Sequence, residues 1–212
     1  MSGRVRETSS ARNIGGIVLC GGKSTRMGRP KAWLPFGPEL LLERVVRIVS
    51  QVVAPVVVVA AQGQDLPELP PGVTITRDEH EGLGPLAGLA VGLAALRGDA
   101  EAAYLSSCDA PLLKPAFVTR MMELLEDNDL AIPRDGQYHH PMAAIYRTRL
   151  EKTVRELVAA NGLRPFFLLE RCRAREIDVS LLRDVDPQLS SLRNINTPQE
   201  YQAALRDAGF SD

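Results

Sequence analysis

Ile17-Val-Leu-Cys-Gly-Gly-Lys-Ser-Thr-Arg-Met-Gly-Arg-Pro-Lys31 is the stretch on which the reading of this chain turns. A short apolar β-run, Gly16 to Cys20, stops at Gly21-Gly22. A strand that stops at two glycines frees backbone N–H groups to face outward, and such amides can hold a phosphate chain. Glycine serves where the backbone must bend sharply or come close to a ligand. Cations stand beside these amides at Lys23, Arg26, Arg29 and Lys31, with Gly28 and Pro30 between them. Lys31 and Arg26 have the sign and position for phosphate contact; Lys23 and Arg29 read as solvated. The spacing is neither a Walker A loop nor G-x-G-x-x-G, because the glycine and Lys-Ser/Thr positions do not match.

Downstream, strand and helix alternate with short links. Leu41, Val45, Ile48 and Val49 are spaced as the apolar face of a helix over Leu40–Val49. Pro35, Gly37 and Pro38 hold the connection to it open as a loop. Val56–Val59 is continuously β-branched, as in a strand buried on both faces. Gly63–Gly72 reads as a loop and Val73–Thr76 as a third strand. Leu86–Leu96 is a small-residue helix able to pack closely on a sheet, and Ala102–Ser106 is the next strand. A helix starts at Pro115 and runs to about Glu126. Strands are expected at Leu130–Ile132, His140–Tyr146 and Arg175–Val179. Helices are expected at Leu150–Ala160 (stopped by Asn161-Gly162), Phe166–Cys172, and from Pro198 to about Ala208, with Thr197 as N-cap and Glu200 at the third position. This order predicts a single-domain α/β fold: three layers, α/β/α, around a mainly parallel, mixed Rossmann-like sheet.

Ligands in such sheets sit at the carboxyl ends of strands. Three polar stretches fall there: Gly21–Lys31, Arg77-Asp78 and Ser106-Ser-Cys-Asp-Ala-Pro111. They point to one cleft. A carboxylate at Asp109, across from a phosphate loop, is placed to hold Mg²⁺ against a triphosphate. Asp78 is either a ligand or a solvated turn residue. Asn194 and Asn196 share one side of an extended segment and serve either a polar heterocycle or the cap of the final helix. His139 and His140 are adjacent in a strand, so they face opposite ways and cannot form one ligand set.

The chain as a whole sets limits. Its 212 residues suit one domain with a substantial core. A net charge of −1 gives no basic field for nucleic acid, and no apolar run reaches membrane-spanning length. Met1–Asn13 is polar with no apolar h-region, so residues 1–13 read as a disordered tail and 14–212 as the domain. The three cysteines are odd in number and far apart, suggesting neither disulfide framework nor zinc knuckle. A reducing cytoplasm is the expected setting.

The loop resembles the signature L-x-G-G-x-S-x-R-M-G-x-x-K of nucleotidyltransferases, and most of all that of molybdenum cofactor guanylyltransferases. The resemblance extends to Gly84-Pro-Leu-Ala-Gly88, Cys108-Asp-Ala-Pro111, His140-Pro-Met-Ala and Asn194-Ile-Asn-Thr-Pro-Gln-Glu200. It implies a fold of the nucleotide-diphospho-sugar transferase type and transfer of GMP from GTP to molybdopterin with release of pyrophosphate. By position, Leu19, Cys20, Gly21, Gly22, Lys31 and Asp78 would bind GTP, and Asp109 both GTP and Mg²⁺. Arg26, Lys31 and Asp109 would be the catalytic set, with His140, Asn194 and Asn196 toward the pterin. The implied partners are GTP and molybdopterin, with transient contact to molybdenum cofactor insertion proteins or apo-molybdoenzymes. Two departures concern base choice. Pro30 replaces the Asp common before the loop lysine, and Val59-Ala-Ala61 lacks a common asparagine. Main-chain groups at Leu19 and Cys20, free at the end of a strand, could read guanine instead. Gly28–Pro35 also resembles related cytidylyltransferases. The rival readings are a nucleotidyltransferase using CTP or a sugar phosphate, and a non-catalytic nucleotide-binding protein.

Overall fold

The structure, a computed structural model, describes residues 13–21, 29–78 and 82–210. Residues 1–12 of the expected tail lie outside these. Asn13 is bonded: its carbonyl accepts from Glu101 N–H at 2.8 Å.

In chain order the elements are β1 (Ile14–Leu19), β2 (Pro35–Phe36), β3 (Glu39–Leu40), α1 (Leu41–Ser50), β4 (Val56–Ala61), β5 (Val73–Asp78), α2 (Pro85–Ala95) and β6 (Ala102–Ser107). Then follow α3 (Pro115–Leu125), β7 (Leu130–Asp135), β8 (Tyr138–His139), β9 (Ile145–Arg147), α4 (Glu151–Ala159), α5 (Phe166–Leu169), β10 (Ala174–Asp178) and α6 (Pro198–Asp207). The main sheet has the order β10-β7-β9-β6-β1-β4-β5, with β8 paired to β7. β1 lies parallel between β4 and β6, β5 is parallel to β4, and β10 is parallel to β7. β9 runs against both β6 and β7. One antiparallel strand between two others leaves those two pointing the same way. The C-terminal ends of β1, β4, β5, β6, β7 and β10 therefore share one edge of the sheet, and this edge carries the site.

Strand alternation builds a core on each face. Val18, Val58 and Tyr104 pack with Leu42, Val45 and Val49 of α1 and Phe117 and Met121 of α3. Ile17, Val57, Val59 and Leu105 pack on the other side with Leu86, Leu89 and Leu93 of α2 and Val154 of α4. The small residues of α2 let it settle close to the sheet. A Cβ built on Gly92 would sit 2.6 Å from Ile17 Cγ2, and Ile17 is completely buried.

Sequence reading and structure part in three places. The Pro35–Pro38 stretch, expected as an open loop, folds into the hairpin β2–β3. Its Phe36 enters a third apolar cluster with Leu41, Ile195, Ala204 and Leu205, against which Tyr201 and Phe210 pack. The Arg44 guanidinium lies over Phe36 and Phe210, 4.9 and 5.6 Å from the ring centroids. Second, His140–Tyr146 is not one strand. β8 stops at His139, Pro141–Ala143 makes a 3-10 turn, and β9 begins at Ile145. Pro141 lacks the N–H that a ladder needs and its ring fixes φ. Third, α5 ends at Leu169 rather than Cys172.

Gly92→Ala should destabilise the fold by about 1–3 kcal/mol, because the added methyl forces Ile17 off its packing. Urea denaturation checks this; an unchanged midpoint would show that α2 can shift away at no cost.

Candidate active site

β6 ends at Ser107, and Cys108 N–H extends the ladder by donating to Leu19 C=O at 2.9 Å. Asp109 follows at the sheet edge. Its backbone is held from two sides: Ile195 N–H donates to Asp109 C=O at 2.9 Å, and Arg44 Nε donates to Pro111 C=O at 2.8 Å. Its carboxylate accepts from Ser107 Oγ on one oxygen and from Lys31 Nζ on the other at 2.6 Å. The same ammonium donates to Asn196 Oδ1 at 3.0 Å. Segments 78 and 165 residues apart thus meet at one nitrogen.

Each partner is positioned locally. Lys31 opens a 3-10 turn closed by Trp33 N–H on Pro30 C=O and Leu34 N–H on Lys31 C=O, both 3.1 Å. Asn196 stands just before α6, where Glu200 Oε2 accepts from Asn196 N–H at 2.6 Å and Thr197 N–H at 2.9 Å, and Thr197 Oγ1 accepts from Glu200 N–H at 3.2 Å. This is the expected capping box. The bond from Asn196 N–H, with that from Thr197, holds the Glu200 carboxyl below its usual range. Asn194 is exposed, and the side chain between the two asparagines, Ile195, is buried in the third cluster.

The β1–β4–β5 end of the edge holds a correction. The main chain of Leu19 and Cys20 is not free. Leu19 C=O accepts from Cys108 N–H, Cys20 N–H donates to Val59 C=O at 2.8 Å, and Cys20 C=O accepts from Gln64 Nε2 at 3.0 Å. Gln64 Oε1 also takes Ala61 N–H at 3.0 Å. Sequence reading placed Gln64 in a loop and gave it no role. The signal was a carboxamide three residues beyond a strand whose own end has none. Gly21 is exposed beside Ala61, and Asp78 ends β5 half-buried, next to Arg77, which donates to Ala61 C=O and Gln64 C=O.

His140 follows β8 and lies beside Pro133 of β7, with β9 between β7 and β6. Its N–H donates to Pro133 C=O at 2.9 Å, and burial pushes its imidazole below the usual value. Among the described residues its Nε2 is buried with no hydrogen-bond partner, and no hydrogen bond joins it to the Lys31–Asp109–Asn196 junction. His139 instead meets Glu176 at 2.6 Å. The hydrogen bond with Cys20 and burial push the Cys108 thiol well up. Gly22 and Arg26, expected at the site, lie outside the described residues.

Among the described residues no three His, Cys, Asp or Glu side chains gather as a metal cluster. Asp109 is a single carboxylate with two of its roughly four lone-pair positions taken by Ser107 and Lys31. That donor set suits Mg²⁺, which is commonly held by one or two carboxylates together with substrate phosphates and water. Among the described residues no helix is long and apolar enough to cross a membrane.

A parallel sheet edge with Gly21, a fixed ammonium and a carboxylate at neighbouring strand ends is the site of an α/β nucleotidyltransferase. The chain belongs to the MobA-like NTP transferase domain family, which matches residues 16–176. It is 39% identical over 211 residues to a Mycobacterium ulcerans (strain Agy99) protein named "Probable molybdenum cofactor guanylyltransferase", covering 97% of this chain and 98% of the relative. A protein of the same name from Mycobacterium tuberculosis (strain ATCC 25177 / H37Ra) is 38% identical over 199 residues, 91% of this chain and 94% of that one. Among solved structures, molybdopterin-guanine dinucleotide biosynthesis protein A from Archaeoglobus fulgidus superposes with a TM-score of 0.74 at 24% identity, covering 92% of this chain and 98% of that one. The 2-C-methyl-D-erythritol 4-phosphate cytidylyltransferase of Thermus thermophilus gives 0.66 at 17% identity, with coverage of 92% and 98%. At these identities the two structures establish the fold, which is that of nucleotide-diphospho-sugar transferases.

Lys31→Ala should weaken nucleoside triphosphate binding at least about tenfold, the worth of one charge-assisted hydrogen bond. Lys31→Arg should recover only part, since the planar guanidinium does not fit a point-charge position. Calorimetric titration decides; wild-type affinity in Lys31→Ala would place the lysine outside the site.

Proposed function

We propose that this protein is a molybdenum cofactor guanylyltransferase. It transfers GMP from GTP to the phosphate of molybdopterin and releases pyrophosphate. The observation that carries the reading is the Lys31–Asp109–Asn196 junction at the sheet edge, in a chain alignable over nearly its whole length with proteins bearing that name.

The reaction is in-line attack by the pterin phosphate on the α-phosphorus of GTP. The nucleophile is already anionic, so the site needs no strong general base, and catalysis reduces to positioning and charge neutralisation. Lys31 exchanges the Asp109 oxygen for phosphate oxygens. Asn196, fixed through its N–H by Glu200, keeps the ammonium aimed at the edge when the carboxylate lets go. Asp109 is freed by that exchange to serve as the protein ligand of Mg²⁺, with Ser107 Oγ steadying its other oxygen. The bound Mg²⁺ supplies neutralisation of the charge that builds on the phosphates. Amides of Gly21 and Gly22 and the Arg26 guanidinium complete the phosphate contacts. Asp78 binds on the nucleotide side, while Asn194 and His140 face the pterin; the unpartnered Nε2 of His140 supports that role. Residues 14–212 form the functional domain. The reading extends to transient contact with cofactor insertion proteins or apo-molybdoenzymes in the cytoplasm.

Asp109→Ala should lower kcat by roughly a thousandfold, a loss of several kcal/mol of charge stabilisation, with melting unchanged. Mg²⁺-dependent turnover near the wild-type rate would remove Asp109 from the mechanism. The activity itself is tested by offering GTP, CTP, ATP and UTP with molybdopterin and Mg²⁺ and measuring pyrophosphate. A large GTP preference is expected, because a pocket built to pair with one base leaves buried polar groups unmatched with another. A CTP preference would make the protein a cytidylyltransferase.

A further inference from the structure

Gln64 reaches back from beyond β4 and bridges two strand ends. Its Oε1 accepts from Ala61 N–H and its Nε2 donates to Cys20 C=O, both at 3.0 Å, with Cys20 Sγ at 3.6 Å from the same nitrogen. The turn that presents it is built. Gln64 N–H donates to Ala61 C=O at 3.2 Å, and Arg77 Nη1 donates to Gln64 C=O at 2.7 Å and to Ala61 C=O at 3.1 Å. Gln64 is half-buried.

Ala61 N–H and Cys20 C=O are thus a donor and an acceptor close enough for one planar carboxamide to satisfy both. The edge of a nucleobase makes the same two-point bond; in guanine it is N1–H beside O6. The sheet order puts this pair where a base would lie. β1 is flanked by β6, whose end carries Asp109 with the Lys31 ammonium bonded to it, and by β4, whose end carries Ala61. A nucleotide with its phosphates at Lys31 extends across β1 toward β4.

We propose that Gln64 is an internal competitor for the nucleobase, and so the residue that limits nucleotide affinity at this site. A base docks on Ala61 N–H and Cys20 C=O by displacing the carboxamide. A base that forms both bonds replaces what Gln64 gives up, and one that forms a single bond does not. Arg77 holds the backbone of the turn, so the side chain can leave without unravelling it. The inference rests on the nucleotidyltransferase reading, with guanine as the base.

The test is calorimetric titration of wild-type, Gln64→Ala and Gln64→Asn protein with GTP, N1-methyl-GTP and inorganic tripolyphosphate. Both variants are too short to bridge the two groups, and the second keeps a polar side chain should the first fold poorly. GTP affinity should rise about tenfold in the variants, with tripolyphosphate affinity unchanged and the gain for N1-methyl-GTP much smaller. Unchanged or weaker GTP binding would overturn the proposal, as would an equal gain for tripolyphosphate, which has no base. A folded wild-type protein that binds another triphosphate and not GTP would instead overturn the guanylyl reading; the same comparison with that triphosphate then decides the role of Gln64.

Discussion

The ion pair between Lys31 and Asp109 joins the two halves of the sheet edge, and the bond from the same ammonium to Asn196 brings in the C-terminal segment. Both side chains of the pair are mostly shielded from solvent, at 16% and 14% exposure. Such a pair adds little net stability, because desolvation offsets much of the attraction. Its worth lies in position. In the proposed mechanism a ligand that brings phosphate oxygens and a cation together takes over the two charges. The arrangement is held from outside itself: by the Ile195 bond to the Asp109 carbonyl, by Arg44 on Pro111, and by the capping box that fixes Asn196.

That support explains features with no direct contact to the junction. The hairpin β2–β3 and α6 bury Phe36, Ile195 and Leu205 in a cluster of their own. Arg44 lies over two of its rings while bonding the loop that carries Asp109. A second brace lies further along. The fully buried Asp186 pairs with Lys114 at 2.8 Å and accepts from Ser191 N–H at 2.7 Å, fixing the approach of the segment that ends in Asn194 and Asn196. Burial pushes the Asp186 carboxyl up, but the Lys114 ammonium and the Ser190 and Ser191 amides outweigh it and hold it below the usual range.

Most of the framework was legible in the sequence because its signals are local. The β-branched run at Val56, the small residues of α2 and the Thr197–Glu200 cap each follow from sterics or hydrogen bonding within a few residues. The meeting of Lys31 with Asp109 was inferable from strand ends, since parallel topology sends them to one edge. Other features depend on partners distant in sequence. Phe36 takes part in a core only because Phe210 arrives from the far end of the chain. His140 leaves the ladder because Pro141 follows it, a local signal outweighed by the apolar run beyond. The main-chain groups of Leu19 and Cys20 read as free because nothing in the sequence says that the Gln64 side chain folds back onto them.

The most direct test is a crystal of the protein with Mn²⁺ in place of Mg²⁺ and a non-hydrolysable GTP analogue, with the metal located by its anomalous signal. The account predicts one metal at coordination distance, about 2.0–2.3 Å, from the Asp109 carboxylate, and Lys31 Nζ moved from Asp109 onto a phosphate oxygen. Nucleotide bound with the Lys31–Asp109 pair intact and the metal held elsewhere would contradict it.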